Sequence, residues 1–110
     1  MQIEISVENN LLIVEFSGNL ILSELEKIRA KVRESIENSN SNVIFDMSGV
    51  DFIDSAGIGF VVSVYKTLKS NNRKFALCGL KKKPREVFSL TRLDKIIKIY
   101  DDIDTAKKEL

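Results

Sequence analysis

Ser55 is the hydroxyl through which the stretch Asp46-Met47-Ser48-Gly49-Val50-Asp51-Phe52-Ile53-Asp54-Ser55-Ala56-Gly57-Ile58-Gly59 could enter chemistry. It stands where an acidic loop after a buried strand turns into a helix. A helix N-terminus offers free amides and the positive end of the helix dipole, so it favours an anion, including a phosphoryl group carried on Ser55. Phosphorylation would add about −1.5 to −2 charges there. Asp51 and Asp54 would crowd that charge. The helix end offsets some of the repulsion within the domain, but an interface that buries a dianion beside carboxylates is opposed. The same serine, following Asp54, also reads as an ordinary helix cap. Residue types and spacing leave both readings open.

The other chemistry-bearing residues point away from catalysis. Gly57 and Gly59 do not complete G-x-G-x-x-G, and no G-x-x-x-x-G-K-S/T occurs, so nucleotide binding is disfavoured. Small residues at Ser55, Ala56 and Gly57 instead leave a flat helix start open to close backbone approach. Asp46, at a strand end, lacks the further carboxylates near the first strand that a magnesium-dependent phospho-acceptor needs. It is expected to accept hydrogen bonds from loop amides. Lys81-Lys82-Lys83-Pro84-Arg85 reads as a solvated basic face or interface rim. Cys78 reads as a small buried hydrophobe.

Histidine is absent, which removes Ser-His and Cys-His nucleophile pairs, a histidine base and histidine metal ligands. With one cysteine there is neither an intrachain disulfide nor a cysteine zinc site, and a reducing cytoplasm is the expected setting. Lys+Arg 17 against Asp+Glu 16 gives a net charge of +1 and no electrostatic case for nucleic acid or an anionic membrane. No apolar run approaches the ~18 residues of a membrane span, and the N-terminus lacks signal-peptide character. No cofactor and no enzymatic activity are expected.

Ile3, Ile5 and Val7 alternate with polar residues as in a half-buried strand. Asn9-Asn10 turns the chain into a second strand, Leu11 to Phe16, ended by Gly18-Asn19. Ser23 and Glu26 have capping-box spacing for a helix whose inner stripe is Leu25, Ile28, Val32 and Ile36. Leu20, Ile21 and Leu22 are candidate exposed apolar contacts. Val43-Ile44-Phe45 reads as a strand buried on both faces. The helix from Ala56 through Leu68 is expected to be more buried than the first. Phe75 to Cys78 is a further strand, and Pro84 starts a helix with Val87, Phe88 and Leu90 inward. Ile96 to Tyr100 is a last strand. Asp101, Asp102 or Asp104 then caps a helix in which Ile103, Ala106 and Leu110 share a face. The length of 110 residues suits one domain over 1–110, an α/β chain of order β-β-α-β-α-β-α-β-α with a mixed sheet.

Asp46-x-Ser48-x-Val50-x-Phe52-Ile53-Asp54-Ser55-Ala56-Gly57-Ile58 closely resembles the STAS domain of bacterial anti-sigma factor antagonists. Leu90 to Ile96 and Ile99 to Asp102 are similar to that family's C-terminal segment. The resemblance implies a STAS-like mixed sheet with helices packed mainly on one face. It also implies a non-enzymatic partner switch. Unphosphorylated, such a protein binds an anti-sigma factor that is itself a serine kinase, and so frees a sigma factor. The kinase phosphorylates the serine matching Ser55, and a metal-dependent PPM-type serine phosphatase reverses this. ATP then belongs to the kinase. The partner surface is expected at Leu20, Ile21, Ser23, Asp51, Phe52, Asp54, Ser55, Ala56, Gly57 and Ile58. Where the family commonly shows Gly-x-Leu-Asp, this chain has Gly18-Asn19-Leu20-Ile21. A constitutive STAS subunit of a transport or stress-signalling complex is the alternative.

Overall fold

Two asparagines in the left-handed region, Asn9 (φ 49°) and Asn10 (φ 63°), reverse the chain between β1 (Gln2–Glu8) and β2 (Leu11–Leu20). Positive φ at both central residues is what a tight hairpin turn requires. In this computed structural model, which describes residues 1–110, the chain continues through α1 (Leu22–Glu37), β3 (Asn42–Ile53), α2 (Ser55–Ser70) and β4 (Phe75–Cys78). It closes with α3 (Lys82–Leu90), a 3₁₀ turn (Leu93–Lys95), β5 (Lys98–Tyr100) and α4 (Ile103–Glu109). The sheet order is β1-β2-β3-β4-β5. β1 is antiparallel to β2, and the remaining pairs are parallel, giving the expected mixed sheet.

The apolar periodicities decide the layers. One face of the sheet joins α1, α2 and α3 in a core of 22 buried residues, whereas the other carries only 5, closed by Ala106 of α4. Helices therefore pack mainly on one face. Leu25, Ile28, Val32 and Ile36 form the buried stripe of α1. Phe45 sits at the centre, meeting Phe16 at 4.8 Å and Phe75 at 4.9 Å edge-on and stacking on Phe60 at 6.2 Å. Edge-to-face pairs of this kind add about 0.5–1.5 kcal/mol each beyond the area they bury.

Several local expectations are corrected. Gly18-Asn19 does not end β2, which runs on to Leu20. The acidic loop is strand: β3 extends to Ile53 because β2 continues beside it, with register shifts after Glu15 and after Gly18. At the first shift Gly49 lies against β2, where an added Cβ would fall 2.6 Å from the Phe16 carbonyl oxygen. Val7 and Leu90 are exposed, not inward, and Leu90 is the last residue of α3. The last strand starts at Lys98; Ile96 and Ile97, expected in it, form the turn that follows the 3₁₀ segment Leu93–Lys95.

Candidate functional site

Asp54 joins the two helix starts at the end of the sheet. It has extended backbone geometry and is the N-cap of α2, its Oδ1 accepting the Gly57 amide at 2.9 Å. Its Oδ2 reaches across to accept the Leu22 amide at 3.1 Å, in the first turn of α1. One carboxylate thus satisfies orphan donors of two helices. The capping box expected from Ser23 and Glu26 does not form. The N-cap of α1 is Ile21, whose side chain cannot accept a hydrogen bond. An aspartate in its place would have the N-cap role, and Asp54 partly supplies what Ile21 lacks.

Gly57 lets this junction close. A Cβ there would lie 2.2 Å from the Leu20 carbonyl oxygen and 2.7 Å from Ile53 Cγ1. The glycine is buried, and its smallness serves the packing of α2 against the end of β2. Leu20, expected as an exposed contact, is 0% exposed and belongs to the core. Its carbonyl also accepts the Asp54 amide at 3.3 Å.

Ser55 is exposed in the first turn of α2, and no protein group hydrogen-bonds its hydroxyl. The reading of Ser55 as a cap is corrected: Asp54 has that role, so the serine Oγ faces solvent uncommitted. Beside it, Phe52 at 50% and Leu22 at 52% leave large apolar side chains in water. Ser23 is exposed as well, while Ile21, Ala56 and Ile58 are half-buried. Asp51 is exposed and pairs with Lys81 at 2.6 Å. A pair this open contributes about 0–1 kcal/mol. Leu22 is the exposed apolar residue expected of it, whereas Lys81, read only as part of a solvated basic run, is the site neighbour that the sequence did not place. Lys81 is the N-cap residue of α3, and only the fold carries it to Asp51.

Away from this end, Asp46 accepts the Ser48 amide at 3.0 Å, the structural role expected of it. Cys78 is fully buried in register with Asp46. Burial, then the nearby carboxylates of Asp46, Asp102 and Glu15, pushes its thiol up to about 12. Asp102 caps α4, accepting the Thr105 amide at 2.8 Å, and the hydrogen bonds from Thr105 hold its carboxyl below the usual range. No helix is long and apolar enough to cross a membrane.

The mixed five-stranded sheet, with helices mainly on one face and an exposed serine at the start of α2, is a fold with known relatives. The STAS domain model matches residues 2–106, and the chain belongs to that family. A Thermotoga maritima protein assigned as an anti-sigma factor antagonist is 36% identical over 77 residues, covering 70% of this chain and 68% of that one. An anti-sigma F factor antagonist of Paenibacillus polymyxa is 27% identical over 111 residues, covering 100% of this chain and 95% of its own. A crystal structure of a Thermotoga maritima protein with the same assignment superposes with a TM-score of 0.90 at 28% identity, covering 97% of this chain and 92% of that one. Antagonism of an anti-sigma factor is a binding role, not a catalytic one.

Proposed function

We propose that this chain is an anti-sigma factor antagonist whose partner binding is switched by phosphorylation of Ser55. The observation that carries the reading is the uncommitted Ser55 hydroxyl, exposed because Asp54 alone caps α2. The partner is an anti-sigma factor with serine kinase activity, which binds the unmodified surface around Leu22, Phe52 and Ser55 and supplies the ATP. A PPM-type phosphatase restores the hydroxyl. The reaction sequence takes place in the cytoplasm, with residues 1–110 acting as one domain.

Both Asp54 oxygens are committed to amides and Asp51 is paired with Lys81, so the surface is locally balanced before modification. A phosphoryl group adds about −1.5 to −2 charges to that balance. In water the helix amides and solvent screen it, and the fold stays intact. In a closed interface it is desolvated beside carboxylates, at a cost that opposes association.

Incubation with candidate anti-sigma kinases and ATP, followed by mass spectrometry, is expected to place one phosphate on Ser55. Ser55→Asp is expected to weaken partner binding at least tenfold, about 1.4 kcal/mol, with little change in Tm. Equal binding by wild type and Ser55→Asp would sink the charge switch. Ile21 favours a second reading, a constitutive STAS subunit, because the usual acidic residue of the partner-facing segment is missing. Recovery of transport components instead of an anti-sigma kinase from a native pull-down would support that reading.

A further inference from the structure

The end of the sheet opposite Ser55 holds a cleft that the proposed switch does not use. Ser55 follows the C-terminal end of β3, whereas the cleft opens at the start of β4 and along β5, both parallel to β3 in the sheet. Its volume is about 380 Å³. Four cations line it: Lys69 from α2, Arg73 and Lys74 before β4, and Lys98 on β5. None of the four takes part in an ion pair. Glu109 is the one acidic side chain in the lining. A chain terminus at Leu110 would add a second carboxylate and still leave the cations ahead by four to two.

The remaining wall is apolar and aromatic. Tyr65, Phe75, Ile96 and Tyr100 line it, and Ile96 is 55% exposed with no element covering it. Lys69 Nζ lies 5.7 Å from the centre of the Tyr65 ring, so a positive charge and an aromatic face are offered side by side. Arg73 is a fixed charge. Its Nε donates to the Ser41 carbonyl at 2.7 Å and Nη1 to the Ile36 carbonyl at 2.8 Å, while Nη2 is buried, so Arg73 contributes charge at the cleft wall and not a free donor.

The cleft falls within the ~300–1,000 Å³ range of small-ligand sites, which combine apolar walls with a few polar groups. A folded partner needs a broader footprint, about 800 Å² on each side. An excess of unpaired cations around an apolar wall selects an anion with an apolar body. We propose that this cleft binds a small organic anion with a flat apolar body. Lys69, Lys74 and Lys98 hold its carboxylate, sulfonate or phosphate group, and the body lies against Tyr65, Ile96 and Tyr100.

The test uses 8-anilinonaphthalene-1-sulfonate on the intact chain, read by fluorescence titration and by amide NMR shifts. Saturable binding at one site is expected, with shifts confined to residues 65–75 and 96–110. The neutral analogue N-phenyl-1-naphthylamine should bind at least tenfold more weakly. Lys69→Glu combined with Lys98→Glu, both exposed and free of ion pairs, should weaken the sulfonate at least tenfold. Lys27→Glu combined with Lys31→Glu on α1 should leave it unchanged. Equal affinity for the neutral analogue, unchanged affinity in the Lys69/Lys98 variant, or shifts spread over the molecule would each overturn the assignment. So would binding of a Glu-Tyr copolymer without binding of the sulfonate, which would give the cleft to an acidic protein segment.

Discussion

The first two helices begin side by side but are held in different ways. α2 carries its own cap, Asp54, immediately before its first residue. α1 begins after Ile21, whose side chain caps nothing, and donates its Leu22 amide to a carboxylate 32 positions away in sequence. The dependence runs one way. α2 can form its cap locally, whereas part of the start of α1 forms only when β3 and α2 are in place. The two exposed segments around Leu22 and Ser55 are therefore one mechanical unit, set by Asp54 and allowed to close by Gly57.

Substitutions at the junction break or sharpen this contrast. Gly57→Ala has the largest expected effect, a loss of about 3 kcal/mol in denaturant unfolding, because its Cβ would overlap backbone rather than a flexible side chain. Unchanged stability would mean that the two starts are not tightly closed. Asp54→Ala removes an acceptor from both helices and is expected to cost about 2 kcal/mol. Hydrogen exchange should show faster exchange at both the Leu22 and Gly57 amides. Faster exchange at Gly57 alone would dissolve the link between the helices.

Ile21→Asp runs in the opposite direction, giving α1 a cap of its own for a gain of about 0.5–1 kcal/mol. Its effect should be larger in an Asp54→Ala background, as a double-mutant cycle would show. Ser23→Ala is expected to stay within about 0.5 kcal/mol of wild type. A loss near 1 kcal/mol, typical of a lost cap, would restore the capping box that the structure lacks.

These contrasts also mark what the sequence could tell. Periodicity read the layers well: the α1 stripe, the Phe75 to Cys78 strand and the shared face of Ile103, Ala106 and Leu110 against the sheet all follow from which residues leave water. Spacing failed where tertiary structure supplied what local chemistry only suggested. Ser23 and Glu26 match a capping box, yet a carboxylate from the next crossover holds that end of the helix. The polar Asp46 to Asp51 segment reads as loop, yet β2 continues alongside and keeps it extended. Leu20 reads as an exposed apolar residue because the length of β2 was not visible, and its 0% exposure follows from that length. The serine itself was legible. That its hydroxyl is left uncommitted was not, because this depends on which neighbour takes the cap.

The sheet has one more consequence, for how the chain comes into being. Its spatial order, β1-β2-β3-β4-β5, is also its order of synthesis. Each strand after β1 finds a neighbour already made as it emerges from the ribosome, and none must be inserted between two finished strands. Loop closure then grows in short steps, which keeps the entropic cost of each addition low. The Asp54 junction is complete once α2 has been made, so the two helix starts beside Ser55 can close while β4 and β5 are still being translated.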